Sequence, residues 1–158
     1  MKIALIILLV IVVLIALYFI STYNTLVSLR NKVKDQWSQI DVVLKNRNDL
    51  IPNIVETVKG YAKHEKDTLD AVIEARSKAV SATTKDDEIK ASGEVTQALG
   101  RLFALAESYP ELKANTNFLD LQNKLNEIEE KIRYARQFYN DSVLTYKNKI
   151  EMFPSNIV

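Results

Sequence analysis

The stretch Leu44–Tyr61, LKNRNDLIPNIVETVKGY, carries apolar residues at helical spacing on both sides of Pro52. It reads either as one long helix that passes through a proline or as a turn between two helices, and the fold depends on which. The composition adds weight to an all-helical reading. Three glycines and three prolines in 158 residues are too few for phosphate-cradling loops, sheet hairpins or long irregular linkers. Cysteine is absent, which excludes disulfides, thiolate metal sites, thiol nucleophiles and a cysteine-linked lipid anchor.

Upstream of the stretch, Ile3 to Ile20 reads IALIILLVIVVLIALYFI, 18 apolar residues without a charge. As a helix it measures about 27 Å, close to the hydrocarbon thickness of a bilayer. A cleaved signal would have a shorter apolar core followed by a small-x-small site, whereas LYFISTYNT follows here. Residues 1–21 are therefore expected to be a single-pass anchor in the cell (inner) membrane, with Tyr18, Phe19 and Tyr23 at the interface. Arg30, Lys32 and Lys34 form a membrane-proximal basic group, worth about 1 kcal/mol each against anionic headgroups. Their count leans the soluble part toward the cytoplasm, against Lys2 alone on the other flank.

Beyond the anchor, three- and four-residue apolar steps recur. One stripe runs Leu26, Val33, Trp37, Ile40, Leu44; the next runs Ile51, Ile54, Val58, Tyr61, Val72, Ala75, Ala79. A weaker one joins Ile89, Leu99, Leu102, Phe103 and Ala106, and the clearest joins Phe118, Leu121, Leu125, Ile128, Ile132, Ala135, Tyr139, Val143, Tyr146, Ile150 and Phe153. Each is the one-sided pattern of a helix packed in a bundle or coiled coil. SATTKDDE (residues 81–88) offers Thr or Asp as a cap before Ile89, and YPELKANTN (residues 109–117) ends one helix and opens another.

At the proline, an unbroken helix from Ser21 to Ala82 would run about 90 Å and leave much of its stripe in water. A turn near Asn46–Asp49 gives segments of comparable length. With Asp49 as N-cap, Pro52 falls in a first turn where its missing N–H costs nothing. The expectation is thus an all-α protein: an N-terminal transmembrane helix continuing into an antiparallel four-helix bundle over residues 22–158, with helices at about 22–47, 50–81, 87–108 and 117–152.

Chemistry finds no foothold in this pattern. His64 is the sole histidine, and Thr68 stands where a zinc-protease helix would place the second, so no metal site is expected. Asp67, Asp70 and Glu74 alternate with lysines as a solvated face does. No serine has a recognisable histidine and carboxylate partner, so neither catalytic residues nor a cofactor are expected. With Lys2 set aside, the basic residues equal the 20 acidic ones, and nucleic acid is not an expected partner.

Two features point to contacts instead. Arg30, Glu65 and Arg76 fall on apolar arcs, either snorkelling to water or fixing register through an ion pair, and Arg136 is the candidate partner of Glu65. Tyr134 and Phe138, four apart in KIRYARQFYND, lie off the core stripe beside Arg133 and Gln137, the composition of an interaction surface.

The stretch Tyr23–Ala79 (YNTLVSLRNKVKDQWSQIDVVLKNRNDLIPNIVETVKGYAKHEKDTLDAVIEARSKA), then YPELKANTNFLDLQNKLNEIEEKIRYARQFYNDSV and FPSNIV, closely resembles the LemA family of bacterial envelope proteins, and the likeness covers nearly the whole chain. The resemblance implies a membrane helix followed by a helical bundle without established enzymatic activity. It also implies neighbours such as a membrane-embedded zinc protease or envelope-stress proteins, and, in one branch, a part in forming magnetosome membranes. Family chains commonly continue past FPSNIV with a glycine- and aromatic-containing tail, so the resemblance casts this sequence as a shortened version. Two functions fit: a membrane-tethered scaffold that forms homo-oligomers and organises the bilayer, or an adaptor that presents the bundle to a membrane protease or another envelope partner.

Overall fold

The computed structural model describes residues 1–158 and is helical throughout, with no strand. Its elements are α1 (Lys2–Lys59), α2 (Lys66–Ser81), α3 (Lys85–Ala106), the single turn α4 (Pro110–Lys113), α5 (Thr116–Glu151) and a terminal 3₁₀ turn (Ser155–Ile157). The all-α expectation holds, and so does the direct continuation of the apolar N-terminal helix into the rest of the chain.

The turn at Asn46–Asp49 does not form. α1 is a single helix of 58 residues with Pro52 inside it, and the chain reverses instead at Gly60–Glu65. Asp49 is therefore an exposed helical residue and not a cap, and the expected helices at 22–47 and 50–81 are replaced by the end of α1 and by α2. Two facts explain why the proline is tolerated. Its ring lies on the exposed face, while Ile51, Ile54, Val55 and Val58 of the same segment are buried. Each buried aliphatic side chain contributes about 1.5–3 kcal/mol, enough together to outweigh the roughly 3 kcal/mol an interior proline costs. Second, the carbonyl that proline leaves without its helical donor is that of Asn48, four residues back, and Arg76 Nε of α2 donates to it at 2.8 Å. Arg76 thus neither snorkels nor forms an ion pair; it replaces the missing backbone N–H.

The real end of α1 has Lys59 in its last turn; the Gly60 N–H still makes the helical bond to the Glu56 carbonyl at 3.3 Å, and the Tyr61 and Ala62 N–H groups then both donate to the Val58 carbonyl as the chain leaves the helix. Thr84 caps α3, accepting from the Asp87 N–H at 3.2 Å while its hydroxyl donates to the Asp87 carboxylate at 2.7 Å. Asn115 opens α5, its side chain accepting from the Phe118 N–H at 3.0 Å.

The chain divides into two units, Met1–Gln39 with Tyr134–Val158, and Ile40–Arg133. The second holds the main core, to which four helical segments contribute: Ile51, Ile54, Val55 and Val58 from α1, Leu69, Val72 and Ala75 from α2, Val95, Leu99 and Leu102 from α3, and Phe118 and Leu125 from α5. Leu112 of α4 closes one end. In the first unit α1 and α5 meet through Trp37 and Tyr139, whose rings are 5.2 Å apart at 64°. Ile3 to Ile20 is exposed along its whole length, so this segment is long and apolar enough to cross a membrane and none of it is buried by the protein.

Candidate functional site: a buried charge network and an exposed aromatic pair

The interior of the second unit contains a charge. Arg47 stands on the apolar stripe of α1, three residues after Leu44 and four before Ile51, and its side chain is fully buried. One terminal nitrogen donates to Glu129 Oε1 of α5 at 2.8 Å and to Thr96 Oγ1 of α3 at 2.9 Å. The other donates to the carbonyl and the hydroxyl of Ser92 on α3, at 3.1 and 3.0 Å. Thr96 in turn donates to the Ser92 carbonyl at 3.1 Å. A guanidinium has five N–H groups, and only its Nε is left without a partner here. A buried cation is affordable only under such near-complete pairing. The network ties α1, α3 and α5 to one register, the role expected of Glu65 with Arg136.

Glu65 itself precedes α2, where its carboxylate accepts from the Tyr109 hydroxyl at 3.0 Å; that hydrogen bond holds the Tyr109 phenol above its ordinary pKa. The buried inter-helix charge pair of this unit is thus Arg47–Glu129, an exposed one joins Lys78 of α2 to Glu94 of α3 at 3.3 Å, and Glu65 instead joins two loops, the reversal after α1 and the one after α3. Asn115 reinforces that junction by donating to the Tyr61 hydroxyl at 2.9 Å. Arg136 lies exposed on α5.

Beside the network is a pocket of about 350 Å³ lined by Asp41, Leu44, Asn48, Arg76 and Glu88 among others. Glu88 has its pKa raised from 4.5 to about 7, first by burial and then by hydrogen bonding to and repulsion from Asp41, with Lys85 pulling weakly the other way. One of its oxygens, Oε2, is buried without a partner, as is Oδ1 of Asn48.

In the first unit, Tyr134 and Phe138 are 49% and 57% exposed on α5, so two large rings four residues apart face outward. The Tyr139 ring next to them points inward onto Trp37, which fixes the helix rotation that turns Phe138 out. Ser142 supports the same stretch by donating to the Phe138 carbonyl at 2.8 Å. Arg30, Lys32 and Lys34 are all exposed on α1 beyond the apolar segment.

Sequence reasoning passed over Arg47, Glu129, Ser92 and Thr96. The signal was the spacing itself: Ile40, Leu44, Arg47, Ile51, Ile54 and Val58 form an unbroken three-four series once arginine is admitted to it.

The chain is similar to known proteins. The family model described as the LemA family matches residues 36–158. The chain is 25% identical over 141 residues to Protein LemA of Metamycoplasma hominis, an alignment covering 89% of this chain and 64% of that protein. It is 26% identical to magnetosome protein MamQ 2 of Paramagnetospirillum magneticum, over 94% of this chain and 66% of the relative. For magnetosome protein MamQ of Magnetospirillum gryphiswaldense the identity is 24%, over 84% and 58%. The chain therefore spans less than two thirds of the length of these relatives. With the unburied apolar helix, these likenesses describe a membrane-associated helical protein.

Proposed function

Since the chain belongs to the LemA family, we propose that it is a non-catalytic scaffold, anchored in the inner membrane by a single pass, whose copies associate side by side and organise the bilayer around them. The observation that carries this reading is the outward-facing pair Tyr134 and Phe138. Aromatic rings beside arginine are the residue types that anchor protein interfaces, and burying the exposed part of both is worth about 2–3 kcal/mol. That is weak in solution. A membrane anchor changes the balance, because it holds every copy in one plane and one orientation, and the resulting effective concentration lets a weak lateral contact propagate. A heterologous contact repeated in that plane gives a ring or array, whereas an isologous one stops at a dimer. Exposed Arg30, Lys32 and Lys34 favour a cytoplasmic soluble part that touches anionic headgroups.

The test is the size distribution of full-length protein in liposomes, compared with the variant carrying Tyr134→Ala and Phe138→Ser. Large assemblies in the parent and their loss in a variant of unchanged helicity and thermal stability are expected. Assemblies that persist in the folded variant would remove this surface from the mechanism and favour an adaptor that presents the bundle to a membrane protease or another envelope partner.

A further inference from the structure

Three buried side-chain polar atoms in this chain lack a hydrogen-bond partner: Arg47 Nε, Asn48 Oδ1 and Glu88 Oε2. All three residues line the same pocket of about 350 Å³. Leaving a buried polar atom unsatisfied is costly and rare, and two of the three, Asn48 Oδ1 and Glu88 Oε2, are acceptors, so an occupant that donates hydrogen bonds would pair with both. The volume is that of about ten water molecules, ample for a small organic group. We propose that this pocket binds a primary ammonium group on a short aliphatic stem, held by Asp41, Asn48 and Glu88.

The donor and acceptor arithmetic selects this class. An ammonium has three N–H donors, and the Asp41 carboxylate and the side-chain Oδ1 of Asn48, two turns apart on α1, together with Oε2 of Glu88 on α3, offer three acceptors on the pocket lining. Leu44, Ala79, Val80 and Ala82 supply an apolar wall for the stem. Charge agrees. The groups around the site are Asp41, Lys45, Arg47 and Asp49 from α1, Arg76 from α2, Glu88 and its neighbour Lys85 from α3, and Glu129 of α5, which neutralises Arg47. Arg76 is already turned to the Asn48 carbonyl. A guest cation therefore enters beside two carboxyl groups that otherwise repel each other, and it takes the place of the proton that relieves their repulsion. A divalent metal fits less well, since no set of three carboxylate, histidine or cysteine groups converges here.

Competition between guest and proton supplies a readout that simple electrostatic attraction lacks. With Glu88 titrating near 7, affinity should fall about tenfold for each pH unit below that value and level off above it, with a proton released on binding near neutrality. The experiment is calorimetric titration of the full chain, in uncharged detergent micelles, with n-butylammonium in two buffers of different ionisation heat. Saturable millimolar binding with proton release is expected. Tetramethylammonium, which has the charge without the N–H donors, should not saturate. Glu88→Gln should weaken n-butylammonium binding at least about tenfold and abolish proton release while the helicity is unchanged, and Asp41→Asn should act in the same direction. Absence of saturable heat, equal binding of tetramethylammonium, unchanged affinity in folded Glu88→Gln, or calcium binding in preference to the amine would overturn the proposal. Should either variant fail to fold, the comparison of the two ammonium ions on the parent chain still decides.

Discussion

Arg76→Met removes the guanidinium that serves the Asn48 carbonyl and keeps most of the side chain's apolar stem. The bond lost is a 2.8 Å contact from a charged donor, partly buried, to a carbonyl whose own helical donor is missing because position 52 is proline. A charge-assisted hydrogen bond of this kind contributes about 1.5–3 kcal/mol, and the half-buried setting places the loss near 2 kcal/mol. If the donor truly substitutes for the backbone, the loss must depend on the proline. Pro52→Ala restores an N–H aimed at the same carbonyl and relieves the ring's clash, so alone it should stabilise the protein by about 1–2 kcal/mol. That is less than the full interior proline penalty of about 3 kcal/mol, because the unfolded chain also gains freedom. In that background Arg76→Met should cost about 1 kcal/mol or less, leaving a coupling of at least about 1 kcal/mol between residues 24 positions apart in sequence. Urea unfolding of the full chain in detergent micelles, followed by far-ultraviolet circular dichroism, measures the four corners of the cycle. Equal costs of Arg76→Met in the two backgrounds would refute the substitution and reduce the contact to ordinary packing.

Two further outcomes concern the charged interior. Glu129→Ala should destabilise by about 2–3 kcal/mol by stranding Arg47, whereas Arg47→Met combined with Glu129→Leu should recover most of that loss in the same unfolding assay, since an apolar replacement escapes the desolvation cost. Glu88, with its folded pKa raised from 4.5 to about 7, contributes stability that is fully present below pH 4.5 and is lost as the pH rises through 7. The raw shift discounted for partial exposure gives about 1–2 kcal/mol, and Glu88→Gln should flatten that part of the stability profile and leave the protein more stable than its parent at pH 8 by about that amount.

Most of the apolar stripes, a cap within residues 81–88 and the loop beginning at Tyr109 were legible because each is written in a few neighbouring residues, although Thr84 starts α3 two residues before the expected position and Tyr61, Ile89, Ile150 and Phe153, placed on the stripes, are exposed. The place where the chain first reverses was not. NRND before a proline satisfies every local rule for a turn, and a reader who expects apolar stripes stops at Arg47. What overrides those rules is distant in sequence: Glu129, Ser92 and Thr96 make the arginine acceptable inside, and Arg76 makes the proline acceptable in mid-helix. Gly60 after Lys59 is the signal that locates the true end, and it is no stronger than the false one. The outward face at Tyr134 and Phe138 was readable for the same reason as the stripes, since helical phase alone turns those rings away from the core.

The four engaged N–H groups of Arg47 also govern how this sequence is free to drift. A change at Glu129, Ser92 or Thr96 alone leaves a cation in the interior with fewer acceptors, and a change at Arg47 alone leaves acceptors with no donor. Intermediates along either route are less stable than the starting point, although an apolar interior at the end of it is not. The four positions therefore form one unit in which the tolerance of any substitution is set by the state of the other three, so that a route to an apolar interior runs through less stable intermediates.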